Sequence, residues 1–145
     1  MKVFAFLYPI GAAISWGLVY TLDQKILSKL SPLSFLFVYF LVGTILTLPI
    51  LFLNYQEIKS LSSSGSNNLL LILISTALVV IASFFILSGV KILGAPTASI
   101  LEIMYPLFVA IFGFLLFRQG ISWYFALGGL LIFIGSAIVI GTVGW

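Results

Sequence analysis

Residues 95–117 read APTASILEIMYPLFVAIFGFLLF, and the interpretation of the whole chain turns on them. Only one of these side chains, Glu102, is ionisable. At 1.5 Å per residue the stretch makes a helix of about 34 Å, enough for a bilayer core about 30 Å thick. At 100° per residue, the side centred on Glu102 gathers Ala95, Ala98, Ser99, Tyr105, Pro106, Val109 and Gly113. The opposite side carries Ile100, Met104, Leu107, Ile111 and Leu115. One side is small and polar, the other suits lipid. Pro106 lacks the N–H that would bond the carbonyl of residue 102, which predicts a helix kink beside the acid. An acid and a freed carbonyl at membrane depth are tolerable only against protein or water. Two roles remain open for Glu102: a functional group in a cavity, or a packing pin bonded to a neighbouring helix.

Working outward, four further apolar runs of spanning length appear at residues 3–22, 33–53, 69–90 and 121–143, none with a charge. The reading is therefore an all-α integral membrane protein, a bundle of five transmembrane helices in a single domain over residues 1–145. The first run continues through Trp16-Gly17-Leu18-Val19-Tyr20, too long and bulky for a cleaved secretory signal, so it is read as a retained helix. Between the runs, residues 23–32 hold Asp23, Lys25 and Lys29, and Ser31-Pro32 suits a helix start. Residues 54–68 form the most polar stretch, with Ser62 to Ser66 expected to be a flexible hairpin loop. Residues 91–94 and 118–120 read as tight turns.

Composition narrows the function. The chain is 63% hydrophobic and 6% charged, against about 25% charged in soluble domains, so lipid must be the solvent for most of its surface. It has no histidine and no cysteine, which removes the imidazole base, the thiolate nucleophile and the usual zinc ligands. Asp23, Glu57 and Glu102 are the only carboxylates, so neither an oxygen-ligand metal cage nor paired-acid catalysis is supported. No enzyme activity, cofactor or metal is expected. The six Lys and Arg residues are scattered, which gives no nucleic-acid footprint.

Those six cations also fail to orient the chain. With five spans, Lys2, Lys59 and Arg118 lie on one side of the membrane and Lys25, Lys29 and Lys91 on the other, an even split. Either the first helix or a partner decides orientation, or the chain inserts both ways and pairs with an inverted copy. Trp16, Tyr20 and Asp23 share a face of the first helix with Pro9, Ala12 and Ala13. That face is read either as the aromatic wall of a cavity, suited to cationic or amphipathic ligands, or as an interfacial aromatic belt. Gly128, Gly129 and Gly135 in the fifth run permit close helix approach, including between subunits.

Residues 95–113, followed by Leu127-Gly128-Gly129-Leu130-Leu131-Ile132-Phe133-Ile134-Gly135, resemble the EamA-type members of the drug/metabolite transporter superfamily. Ser15-Trp16-Gly17 and Leu30-Ser31-Pro32-Leu33 look like that family's opening pattern. The resemblance covers nearly the whole chain. It implies one half of a ten-helix design built from two oppositely oriented five-helix halves, and hence an antiparallel homodimer enclosing a midplane site. Two positions depart from the family pattern: Tyr39 stands where an arginine is frequent, and Arg118-Gln119 where a Gly-Glu pair is frequent. The chain is also similar in size to the small multidrug resistance branch, whose first-helix glutamate exchanges protons, but its first helix has no glutamate.

The expectation is a half-transporter of small metabolites or drug-like solutes in the bilayer, as in a prokaryotic cytoplasmic (inner) membrane. It would work by alternating access with Glu102 as polar anchor or protonation switch. Trp16, Tyr20, Ser99 and Tyr105 are the expected cavity lining. The rivals are a non-transporting membrane scaffold or accessory subunit, with Glu102 satisfied by a neighbouring helix, and a lipid-carrier flippase subunit with a groove open to the bilayer.

Overall fold

A computed structural model of the chain describes residue 5, residues 7–63 and residues 66–142. The described residues form helices α1 (Leu7–Leu27), α2 (Pro32–Leu53), α3 (Tyr55–Ser63), α4 (Ser66–Leu93), α5 (Ala95–Glu102), α6 (Tyr105–Phe117) and α7 (Trp123–Thr142), with no strand among them. Four stretches are long and apolar enough to cross a membrane: Pro32–Leu53, Asn68–Leu93, Ala95–Phe117 across the α5–α6 turn, and Trp123–Gly141. In α1 the polar residues Asp23, Gln24 and Lys25 occupy the final turns, and residues 3, 4 and 6 of the expected first span lie outside the described residues.

Local chemistry explains the helix ends. Ser31 accepts the Ser34 N–H at 3.1 Å and Pro32 opens α2 without losing a hydrogen bond. Within the helices, hydroxyls turn back on their own backbone: Ser15 donates to the Gly11 carbonyl (2.9 Å), Thr21 to Gly17 (2.8 Å), Thr44 to Phe40 (2.8 Å) and Ser88 to Phe84 (2.7 Å). Each is thereby satisfied where lipid offers no partner.

Three segments differ from the sequence expectation. The polar stretch expected as a loop contains α3, because Tyr55, Ile58 and Leu61 recur every third residue opposite Gln56, Glu57, Lys59 and Ser60. Of the expected hairpin at residues 62–66, residues 64 and 65 lie outside the described residues. The turn expected at residues 91–94 shrinks to one residue, since α4 runs to Leu93 and α5 starts at Ala95. Gly94 makes this joint at φ +83°, a region that L side chains resist. At the kink expected beside Pro106 the helix tightens into a turn: Ile103 and Met104 keep right-handed helical backbone, with the Met104 N–H bonding the Leu101 carbonyl and the Leu107 N–H the Met104 carbonyl. Helix α5 stops at Glu102, Ile103 and Met104 form a turn, and Pro106 sits in the first turn of α6, where its missing N–H costs nothing.

The small core joins α1, α2, α4 and α5 through Tyr20, Leu27, Phe35, Leu36, Leu87, Val90, Ala95 and Ala98. Helix α7 packs on α5, whereas α6 meets α7 at its base, where Leu107 fills the space above Gly129, and packs extensively on no other described helix. The accessible surface is 11761 Å², against about 7,300 Å² for a compact monomer of this mass. The helices are therefore loosely packed, with far more exposed surface than a compact monomer leaves.

Replacing Gly94 with alanine should cost about 1–2 kcal/mol, the penalty of a Cβ in left-handed backbone. Gly11→Ala, in helical backbone with open space around it, should be neutral or slightly stabilising. Thermal unfolding of both variants in detergent, monitored by circular dichroism, checks the contrast.

Candidate functional site

Helix α1 turns Tyr20, Asp23 and Leu27 inward, at spacings of three and four residues. Tyr20 is 9% exposed and its hydroxyl donates a short hydrogen bond to Oε2 of Glu102 at the end of α5. The tyrosine bridges residues distant in sequence and meets the acid where α5 tightens into the turn before Pro106. Trp16, one turn earlier, lies against Tyr20 with ring centroids 5.6 Å apart and planes tilted by 36°. Glu102 is half-buried, and no cation of the described residues pairs with it.

Two further contacts hold α5 in place. The Gln24 side chain accepts the Ala95 N–H at 2.7 Å, satisfying one of the donors that a helix start leaves open. Ser136 of α7, 2% exposed, donates its hydroxyl to the Ile100 carbonyl at 3.1 Å. Nearby, the Lys91 ammonium donates to the Leu30 carbonyl at 2.7 Å, tying the end of α4 to the α1–α2 turn. The eight-residue α5 is therefore gripped by α1 at both ends and by α7 in the middle.

The expected site residues divide. Tyr20 and Glu102 are in direct contact, and Trp16 extends the pair while remaining 51% exposed. Ser99 spends its hydroxyl on the Pro96 carbonyl at 2.9 Å, within its own helix. Tyr105 lies just past the Ile103–Met104 turn and is 61% exposed. Of the glycines expected at a subunit contact, Gly129 is occupied by Leu107 of its own chain, while Gly128 and Gly135 face open space. Sequence reasoning placed Asp23 on the Trp16–Tyr20 face but missed the roles of Gln24 and Ser136, whose partners are backbone atoms that no residue pattern reveals.

Glu102 lines neither of the two best-formed clefts among the described residues. An apolar one of about 280 Å³ lies between α6 and α7, lined by Pro106, Leu107, Phe125 and Gly129 among others. A more polar one of about 430 Å³ lies where Gln24, Ser28 and Lys91 meet Gly94. No group of three or more acidic, histidine or cysteine residues that could hold a metal exists among the described residues.

The model of one transporter family matches residues 3–141, nearly the whole chain. The chain belongs to the EamA-like transporter family. No curated protein and no solved structure matched it. Membership of this EamA-like family makes it a membrane protein of a small-solute transporter family, and assigns the apolar surface of its helices to the bilayer.

Tyr20→Phe removes the donor to a half-buried carboxylate and should cost about 1–3 kcal/mol. In a double-mutant cycle with Glu102→Leu, which removes the acceptor, the coupling energy should be positive and account for most of that loss. The cycle is read from thermal or denaturant unfolding in one detergent, and additive single-variant effects would show that the pair carries no mutual energy.

Proposed function

We propose that this EamA-like chain is a half-transporter that crosses the membrane five times, works as an antiparallel homodimer and moves a small metabolite or drug-like solute by alternating access. The observation that carries this reading is the Tyr20–Glu102 contact. It puts the one carboxyl of the apolar spans on the inward face of α1, at the end of α5, without a cation to neutralise it. A carboxylate at such depth is costly unless it is protonated or meets a positive partner. Proton and solute then compete for Glu102, and releasing one accompanies binding the other. Trp16 and Tyr20 supply an aromatic wall beside the acid. A second copy packed on the exposed helix faces would enclose a cavity that one chain alone does not form. The even split of Lys and Arg removes the charge bias that would otherwise forbid an inverted partner.

A second reading draws on the same hydrogen bond. With Glu102 already bonded by Tyr20, and both clefts lying elsewhere, the pair also suits a scaffold or accessory subunit in which the acid pins α1 to α5. The two readings part experimentally. In proteoliposomes offered a panel of labelled amines, amino acids and nucleosides across a pH gradient, the transporter reading expects uptake of at least one compound. That uptake should fall by more than about tenfold in Glu102→Gln and lose its pH dependence. A Glu102→Gln protein that transports like the parent at every pH overturns the switch. Absence of uptake for the whole panel, together with a stable Tyr20–Glu102 coupling, favours the scaffold.

Topology is testable separately. Reporters fused to either end of the chain should each be found on both faces of the membrane, and adding one lysine to the α1–α2 turn should drive them to a single face. Reporters confined to one face in the parent protein would exclude the inverted pair.

A further inference from the structure

The polar cleft at the joint of α4 and α5 has no part in the function proposed above. Its volume is about 430 Å³, and its lining includes Gln24 and Ser28 of α1, Lys91, Ile92 and Leu93 of α4, and Gly94. Two spanning stretches, Asn68–Leu93 and Ala95–Phe117, meet at Gly94, and α1 turns polar at Asp23, Gln24 and Lys25. Where one crossing hands over to the next the chain is at a bilayer surface, so the cleft opens at headgroup depth.

The cleft presents donors and charge that the protein does not use. Lys91 gives one ammonium N–H to the Leu30 carbonyl at 2.7 Å, a neutral partner that leaves its full charge and two further N–H groups in place. No carboxylate among the described residues forms an ion pair with it. Gln24 accepts the Ala95 N–H on Oε1 at 2.7 Å, which fixes the amide and leaves its two N–H donors without a partner among the described residues. Gly94 keeps that amide uncovered, since a Cβ there would lie 3.8 Å from Gln24 Oε1 and 4.0 Å from its Nε2. Ser28 donates its hydroxyl to the Lys25 carbonyl at 2.7 Å and so offers the cleft only an acceptor. Lys25 and Lys29 are exposed at the same end of the bundle, while its one acid, Asp23, is buried on the inward face with Tyr20 and Leu27. Beside this positive, donor-rich side stand the exposed apolar side chains of Ile92 and Leu93.

We propose that the cleft is a binding site for an anionic phospholipid. The phosphate oxygens accept from the Lys91 ammonium and the Gln24 amide, and an acyl chain runs along Ile92 and Leu93. A charge-assisted bond from a lysine and a bond from a fixed amide suit a phosphodiester. Basic pockets between spanning helices at headgroup level favour anionic over zwitterionic lipid. A soluble phosphate would satisfy the donors but leave the apolar wall unused. The bound lipid joins the end of α1 to the α4–α5 joint, so it braces the start of the short helix that carries Glu102. The site is independent of the Glu102 switch, and no outcome below bears on transport.

The test is thermal unfolding of the whole chain in an uncharged detergent, titrated with short-chain phosphatidylglycerol, short-chain phosphatidylcholine or inorganic phosphate. Phosphatidylglycerol should raise Tm in a saturable way that reports its affinity. Phosphatidylcholine, with the same phosphodiester but no net charge, should bind about fivefold or more weakly, the selectivity conferred by one lysine at the surface. Inorganic phosphate at the same concentrations should shift nothing. Lys91→Gln and Gln24→Glu should each erase the preference, the second because it keeps an acceptor for the Ala95 N–H but sets a carboxylate beside Lys91. Lys91→Arg should keep it, as should Lys29→Gln, which removes the same charge outside the cleft lining. A preference lost equally in Lys29→Gln would reveal diffuse attraction to the surface and overturn the site. Stabilisation by inorganic phosphate matching that of the lipid would overturn it in favour of a soluble anion. Native mass spectrometry of the parent protein, released from nanodiscs of equal phosphatidylglycerol and phosphatidylcholine, needs no variant. Retained lipid should be enriched in phosphatidylglycerol, and an unselective count overturns the inference.

Discussion

Polar atoms inside a bilayer must find partners within the protein, and the way this chain meets that demand sets its architecture. Ser15, Thr21, Thr44 and Ser88 bond to carbonyls of their own helices and so ask nothing of their neighbours. Tyr20, Gln24 and Ser136 reach across helices, and all three converge on α5. A segment of eight residues between a glycine joint and the Ile103–Met104 turn could not hold its position through apolar packing alone. These three bonds, with the Ala95 and Ala98 contacts in the core, anchor it to α1, α4 and α7. Glu102 inherits its location from that grip.

Legibility in the sequence followed the range of each signal. Span-length apolar runs are local and dense, so four crossings and the family could be read directly, and the turn near Pro106 follows from one missing N–H. The α3 helix was hidden because Ser, Asn and Gly dominate the composition around it, while its apolar spacing rests on only Tyr55, Ile58 and Leu61. In the site, Glu102 stood out as a lone acid and Tyr20 as a first-helix aromatic, but their pairing spans most of the chain and no spacing rule encodes it.

The open surface also bears on how the parts relate. Helix α6 leaves the bundle after the turn and keeps only its base on α7, where Leu107 covers Gly129. Helices α1, α2, α4 and α5 share one core, whereas α6 and α7 are attached to it chiefly through the α5–α7 contact and the Ser136 bond. The acid lies at the end of α5, at the boundary between these two parts.

Helix α3 adds a further consequence. With Tyr55, Ile58 and Leu61 along one side and α2 and α4 descending from its two ends, it would lie flat among the headgroups like an outrigger. Such a float would resist tilting of α2 and α4. In two oppositely inserted copies the floats would press on opposite leaflets, so the stiffness of each monolayer, and not only the solute, would weigh on how readily the pair rearranges.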